Sequence, residues 1–307
     1  MIIASAFLTL LCCQQNTAAF AGKIDLDIRE DDVELRRLRL GVEGELADGS
    51  FYVFSLNNDI EEMESSLHEM MIYFDHPWGL IEAGYFKEPF GLENSHSSHE
   101  VNFLERSDAT MLAGDHNIGV ANLFEIDEHT HFSWGLFRNS ISARFTDLIV
   151  ANEDENNFWH VGASFGVRES DKYFQGDEII MVDVETLFQN GPFSLQAEAQ
   201  SLEIDDTEST SFTVQAAYVL SGENKIYDIP RAKFNFPKET GDIEAAIRAT
   251  RVDMSEYNPA MSVINDYNVA LNYYLNDSSK IQLEVERGSD GIVDEQTNVA
   301  LRYHFRW

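Results

Sequence analysis

The last ten residues of the chain, NVALRYHFRW at positions 298–307, alternate between apolar and polar side chains. The odd positions carry the large apolar side chains, which are Val299, Leu301, Tyr303, Phe305 and Trp307. The even positions carry Ala300, Arg302, His304 and Arg306. A period of two is typical of a β-strand with one apolar and one polar face, because successive side chains of a strand point to opposite sides.

The same alternation recurs along the preceding sequence, for example at 192–201, 211–220, 266–276 and 279–287. Such segments run about nine to eleven residues, which is the length a tilted strand needs to cross a bilayer, whereas strands in soluble proteins cluster near about five or six. Aromatic residues gather near the segment ends, where an interfacial girdle would lie. These features favour a transmembrane barrel over a soluble sandwich. We therefore predict an all-β fold, a closed antiparallel transmembrane β-barrel.

We predict sixteen strands, an even number, as a closed bacterial barrel requires. They fall at 23–28, 33–45, 50–57, 67–75, 79–86, 116–126, 130–138, 158–167, 178–188, 192–201, 211–220, 231–236, 242–251, 266–276, 279–287 and 295–307. Longer connections are expected at 87–115, 139–157, 202–210, 252–265 and 288–294. The longest, from Lys87 to Asp115, exceeds a hairpin turn, and a loop of that size in a compact fold is usually functional.

The composition excludes several classes of protein. The chain has 307 residues with 54 acidic and 21 basic side chains, so its formal charge is 21 − 54 = −33. Nucleic acid is therefore excluded as a partner, because phosphate backbones require a basic face. Both cysteines, Cys12 and Cys13, lie near the start of the chain. The remaining sequence holds no disulfide, zinc–cysteine site or cysteine nucleophile, and no motif calls for a cofactor.

The first 21 residues resemble an export signal. An apolar run from Ile2 to Cys13 is followed by Ala19-Phe20-Ala21, the small-x-small pattern that precedes signal peptidase cleavage. We predict a cleaved signal peptide at 1–21 and one barrel domain at 22–307. A buried N-terminal helix is the alternative, although no capping residue or amphipathic period accompanies the run.

Three segments carry a resemblance to a known family: ELRRLRLGVEGEL at 34–46, GYFKEPFGLENSHSSHEVNFLER at 84–106 and NIGV at 117–120. Together with GDIEAAIRATRVDM at 241–254 and the final strands, they closely resemble the phosphate-selective porin O and P family. The resemblance implies a sixteen-stranded barrel in the bacterial outer membrane, usually a homotrimer in contact with outer-membrane lipid. It also implies passive diffusion of small anions such as phosphate, past basic side chains, with the 87–115 loop folded inward to constrict the pore.

The candidate pore residues are basic. The family resemblance assigns Lys87 and Arg106 to the two ends of the constriction loop, and matches Arg37 and Arg39 to its RRxRLG motif. Alternation places five arginines on the lumen side: Arg37, Arg39, Arg248, Arg302 and Arg306. A guanidinium presents a rigid fork of donors to a tetrahedral oxyanion, and fixed positive charge in a narrow pore concentrates anions. Any one of these cations could instead pair with an acid on a neighbouring strand.

Two other functions remain open. The same alternation of side chains places more acids than cations on the lumen wall. These acids are Glu43, Glu45, Glu82, Asp183, Glu185, Glu198, Glu244, Glu284 and Glu286. That balance favours a non-selective or cation-leaning general porin. An outer-membrane barrel enzyme is the other alternative. Gly162 to Gly166 fits G-x-S-x-G, but the segment lies in a strand pattern with no helix following, as that motif requires.

A metal site is not predicted. His96, His99, Glu100 and His116 lie in or near the long loop, but histidines spaced by three without a helix to present them are weak evidence for one. We therefore expect a polar loop without metal, and no enzymatic activity.

Overall fold

The computed structural model describes residues 17–29, 32–59, 64–152, 157–169, 178–222, 225–228, 232–235, 241–258, 263–288 and 296–307. Within them, sixteen antiparallel strands close into a barrel, and two short strands form a separate sheet. The barrel strands are β1 (Ala19–Arg29), β2 (Asp32–Glu45), β3 (Phe51–Asp59), β4 (Glu64–His76), β5 (Gly79–Lys87), β6 (His116–Glu125), β7 (Thr130–Phe137), β8 (Ser140–Asn152), β9 (Asn157–Arg168), β10 (Ile179–Asn190), β11 (Phe193–Ile204), β12 (Thr207–Val219), β15 (Ile243–Asp253), β16 (Ile264–Asn276), β17 (Ser279–Gly288) and β18 (Gln296–Arg306).

Each barrel strand pairs with its neighbour in sequence, apart from two places. β12 pairs with β15, and β1 pairs with β18 to close the barrel. The closing register joins Asp27 to Arg302 and Asp25 to His304. Closure pairs the strands at both former edges of the sheet, so the barrel has no open edge.

The barrel's outer surface is apolar. Alternate residues leave large hydrophobic side chains exposed on the outside, among them Ile118, Val120, Leu136, Phe145, Val184, Phe212, Ile247, Val269 and Tyr303. The intervening side chains are mainly polar and are buried inside. An apolar belt around a polar interior is the arrangement that lipid on one side and a lumen on the other require. The predicted closed barrel is confirmed.

One predicted barrel strand was wrong and one barrel strand was missed, so the two errors cancel in the count of sixteen. Residues 139–157, predicted as a connection, contain β8, in which the register shifts between Leu148 and Val150 and interrupts the period of two. The predicted barrel strand at 231–236 is instead the short β14 (Lys233–Asn235), paired with β13 (Ile226–Asp228) outside the barrel sheet. The predicted connection at 202–210 is also wrong, because a turn at Asp205 and Asp206 joins β11 to β12.

The segment between β5 and β6, residues 88–115, we name the inner loop. It holds a one-turn helix, α1 (Leu92–Ser95), and a 3-10 helix at Asp108–Leu112. The loop lies against inner side chains of several strands. Leu92 N and Glu93 N donate to the carboxylate of Glu198 on β11 at 3.2 and 2.9 Å, and Leu104 N donates to Glu284 on β17 at 2.6 Å.

An apolar cluster anchors the inner loop to the wall. Phe90 and Leu112 of the loop are buried against inner apolar side chains of β10, β11, β15 and β16, which include Met181, Leu202 and Val252. This burial removes apolar surface from water at about 25 cal/mol per Å². The inner loop therefore has its own packed contact with the barrel in addition to polar tethers.

A second segment enters the barrel from the opposite end. The end of the barrel that carries Ala19 and Arg306 also carries the connection from β12 to β15, which holds β13 and β14. We name the described parts of this connection, 225–228 and 232–235, the inner hairpin. Tyr227 Oη lies 2.6 Å from His160 Nδ1 on β9, and Lys225 Nζ lies 2.6 Å from Glu244 on β15.

No helix in the described part of the chain is long and apolar enough to span a membrane. Residues 1–16 of the predicted signal peptide lie outside the described residues. The described part of that prediction, 17–21, includes the first residues of β1. Cleavage after Ala21 stays a prediction.

Candidate functional site

A cavity of about 880 Å³ lies between the inner loop and the inner faces of β2, β3 and β4. Five cations line it: Arg37, Arg39, Lys87, Arg106 and Lys233. Two acids, Glu69 and Asp115, line it as well, so the charged lining residues sum to 5 − 2 = +3. The whole chain carries −33. The cavity therefore reverses the sign of the protein's net charge locally.

The strands β4 and β5 stop pairing beside the cavity. The register between β4 and β5 ends at Met70 and Tyr85. Beyond that pair the last residues of β5 separate from β4, so Lys87 lies beside the inner loop and reaches the cavity. Gly84 sits at the divergence with a φ of 143°, and a Cβ there would lie 2.1 Å from Met70 O. Glycine alone fits this close approach.

Arg37 and Arg39 project from β2 into the cavity, where the sequence placed them. Arg37 Nη2 donates to Glu105 of the inner loop at 3.1 Å, and its Nη1 donates to Asp25. Arg39 Nε donates to Asn57 Oδ1 on β3 at 2.9 Å, a neutral partner. The hydrogen-bond partner of Arg39 is thus neutral, whereas Arg37 is partly neutralised by two carboxylates.

Lys87 and Arg106 hold the inner loop through its backbone. Lys87 Nζ donates to Asn94 O at 2.7 Å. Arg106 donates from Nε to Glu93 O at 3.2 Å and from Nη2 to His96 O. Carbonyl oxygens are dipoles without net charge, so neither side chain forms an ion pair through these hydrogen bonds, and Glu69 and Asp115 of the lining offset part of their positive charge.

The remaining predicted cations lie elsewhere. Arg248 stacks over the Phe103 ring, 4.3 Å from its centroid, and lines a neighbouring cavity of about 440 Å³ together with Arg106. Arg302 is buried in a two-bonded ion pair with Asp27 at 2.6 and 2.8 Å. Arg306 lines a third cavity with Arg39 and donates to Asp277 O. The structure thus brings four of the seven predicted residues into one cavity.

Glu105 of the inner loop forms ion pairs with arginines on two strands of the wall. Burial raises the pKa of its carboxyl, but the guanidinium groups of Arg37 and Arg302 outweigh burial and hold that pKa below the usual value. Glu105 also lies 3.3 Å from Arg36 Nε. An ionised Glu105 therefore ties the loop to β2 and β18 at neutral pH.

Sequence reasoning missed Lys23, Lys225 and Lys233. Lys23 is buried on the inner face of β1 and donates to Ser98 of the inner loop. Strand parity with Asp25 and Asp27 would have placed it there. Lys233 Nζ lies 2.7 Å from Glu100 Oε2, which joins the inner hairpin to the inner loop. No local pattern signalled this, because the contact depends on two segments that enter from opposite ends.

Acidic residues dominate the wall away from the cavity. Glu185 on β10 accepts from Arg144 Nη2 at 2.6 Å and lies 2.8 Å from His160 Nε2, all three buried. Asp183, Glu185 and Glu198 are close enough to hold an ion together, as are His68, Glu69 and His116. The predicted acidic wall is therefore present on β10 and β11, whereas the five cations of the cavity come from β2, β5, the inner loop and the inner hairpin.

Ser164 does not occupy a nucleophile turn. It lies inside β9 with Trp159 and Phe165 exposed outward, and its Oγ accepts from Gly91 N at 3.0 Å. A nucleophile elbow needs a strand-to-helix turn. The Gly162–Gly166 pattern is part of a barrel strand that holds the inner loop.

The closed barrel, its apolar belt and its inward segments define an outer-membrane β-barrel of the porin type. The profile of the family described as phosphate-selective porin O and P matches residues 13–186 and 150–289. The chain therefore belongs to the phosphate-selective porin O and P family, whose place is the bacterial outer membrane.

Individual proteins resemble the chain in sequence or in fold. Porin O of Pseudomonas aeruginosa is 32% identical over 111 aligned positions, which cover 30% of this chain and 25% of Porin O. The match thus spans about a quarter of that relative's length. The anion-selective porin from Comamonas acidovorans has a TM-score of 0.61 at 9% identity, over 95% of this chain and 100% of that one. In-vitro folded OmpT of Vibrio cholerae, in its trimer form, has a TM-score of 0.59 at 13% identity, over 95% and 99%. At these identities the two structures indicate a shared fold only.

Proposed function

We propose that this protein is a passive diffusion porin that prefers small anions. The observation that carries the proposal is the set of five cations, Arg37, Arg39, Lys87, Arg106 and Lys233, around one cavity beside the inner loop. Selectivity in a wide channel is determined at its narrowest point, where fixed charges act at short range. We infer that ions pass through this cavity, whose lining does not include the wall acids Asp183, Glu185 and Glu198.

Phosphate is the anion whose chemistry fits the cavity best. Arginine forks and lysine ammonium groups are the side chains that bind tetrahedral oxyanions. Arg39 and Lys87 donate hydrogen bonds to neutral acceptors, Asn57 Oδ1 and Asn94 O, so they can donate to an entering anion without breaking an ion pair. The description of the family as phosphate-selective supports the same interpretation.

One feature of the structure favours the alternative of a general porin that prefers cations. This feature is the group of buried acids Asp183, Glu185 and Glu198. They lie behind the inner loop, since Glu198 binds the backbone of Leu92 and Glu93. We infer that an ion crossing the barrel meets the cationic cavity rather than this cluster.

The experiment is the zero-current potential of the purified protein in a planar bilayer under a potassium chloride gradient, repeated with added phosphate. Anion preference together with a phosphate-dependent fall in chloride current would support the proposal. Cation preference without any effect of phosphate would contradict it and favour a general porin. Absence of conductance would contradict the porin function itself.

We further propose that the barrel assembles as a homotrimer in outer-membrane lipid. The related fold of OmpT, solved in a trimer form, supports this assembly. Light scattering of the detergent-solubilised protein, corrected for bound detergent, would give a mass near three times 34.9 kDa less any cleaved signal. A single-chain mass would contradict it.

A further inference from the structure

Two histidines and a glutamate converge on the edge of the cavity described above. His68 and Glu69 belong to β4, and His116 begins β6. The His68 and His116 ring centroids lie 4.6 Å apart, and His116 Nε2 lies 3.9 Å from Glu69 Oε1. One donor atom from each residue falls within 4.8 Å of the other two.

A β-bulge brings His68 and Glu69 to the same side. In a regular strand, consecutive side chains point to opposite faces. Here Ser55 of β3 pairs with Glu69 and Leu56 pairs with Leu67, so His68 has no residue opposite it. Both His68 and Glu69 consequently line the cavity. Bulges that redirect a side chain in this way are common next to functional sites.

The orientation of His116 leaves a ligand atom available. Its Nδ1 lies 3.0 Å from Asp115 Oδ1, and an ionised carboxylate there requires Nδ1 to donate. The Nε2 then carries the lone pair, and this atom is buried without a hydrogen-bond partner. A carboxylate that holds the far nitrogen of a histidine is the usual support of a metal-binding imidazole. A buried acceptor with no partner destabilises the fold, and a bound cation would satisfy it.

We propose that His68, Glu69 and His116 bind a divalent transition metal ion, of which Zn²⁺ is the probe. Two imidazoles and one carboxylate are the ligands that zinc takes at sites with an open fourth position, whereas Mg²⁺ and Ca²⁺ prefer oxygen ligands only. The fourth position faces the cavity, where water or an anion can fill it. The nearby charges of Arg39 and Lys87 oppose a cation, while Glu69 and Asp115 offset them.

The site does not depend on anion conduction, because zinc binding is measured without current. Isothermal titration of the folded protein in detergent with zinc chloride is expected to give one site per chain. His116→Ala is expected to weaken binding at least 100-fold. Asp115→Asn, which changes only the positioning residue, is expected to weaken it about 10- to 100-fold. His76→Ala removes an exposed histidine of the same strand and is the matched control.

X-ray absorption of the zinc-loaded protein measures the ligands of the zinc ion directly, which residues that only stabilise the fold would not change. We expect imidazole nitrogens at about 2.0–2.1 Å from zinc, and their number is expected to fall in His68→Ala. Glu69→Gln conserves the shape of the side chain and is expected to weaken zinc binding without loss of heat-modifiable migration, the sign of a folded barrel. Equal zinc affinity in His116→Ala, Glu69→Gln and the parent protein, or an oxygen-only shell, would overturn the proposal.

Discussion

Reversing two charges in the cavity provides the sharpest test of its role. Lys87→Glu with Arg106→Glu changes the charge of the lining from +3 to 3 − 4 = −1. Both native side chains donate to backbone carbonyls of the inner loop rather than to acids. We therefore expect the pore to shift from anion toward cation preference without the loss of a buried ion pair.

The size of the shift follows from the dimensions of the cavity. A sphere of about 880 Å³ has a radius of about 6 Å, so a wall charge lies about 8 Å from a central ion, where one unit charge contributes about 0.5 kcal/mol in water. Four units give about 2 kcal/mol, which screening at 0.1 M salt reduces to about 0.9 kcal/mol. That is about 4.5-fold for each ion and therefore about 20-fold in the anion-to-cation permeability ratio.

The assay is the zero-current potential of each variant under the same potassium chloride gradient. The control is Arg138→Glu with Arg251→Glu, which makes the same change in charge at two exposed positions away from the cavity. Folding of both double variants is checked by heat-modifiable migration on a gel. A change in the permeability ratio below about twofold in the folded cavity variant, or an equal change in the control, would refute the argument.

Three further predictions follow from the ion pairs of Arg302, Glu105 and Lys233. Arg302→Met leaves the buried carboxylate of Asp27 with the half-exposed Arg29 as its partner, at 3.1 Å, so the barrel should lose up to about 3–5 kcal/mol, seen as a lower urea midpoint that an unchanged midpoint would contradict. The pKa of Glu105 lies below its ordinary 4.5, so its contribution to holding the loop is present above that pH and lost as the pH falls through the lowered value. Conductance should change on acidification in the parent protein but not in Glu105→Gln. Lys233→Gln breaks the 2.7 Å contact with Glu100, so single-channel current noise should rise, and Lys233→Arg should restore a quiet trace.

The alternation of side chains by itself determined the barrel. Val299, Leu301 and Tyr303 face outward and Arg302 faces inward as the period of two requires, because a strand offers only two faces and lipid accepts only one kind of side chain. The length of the strands also follows from the local sequence, and it distinguished a membrane barrel from a soluble sandwich, because a strand that crosses a bilayer needs about nine to eleven residues. The period of two is interrupted where the register shifts, as in β8 and at His68.

Tertiary structure decided which inward residues act together. Arg302 and Arg39 looked equivalent in sequence, but closure of β18 on β1 places Asp27 directly opposite Arg302 and neutralises it. Lys233 reaches the cavity only because a hairpin from one end of the barrel meets a loop from the other. Parity specifies a face, whereas the sharing of a cavity depends on barrel closure, on a bulge and on the paths of two inserted segments. These join residues far apart in the chain, so no local pattern contains them.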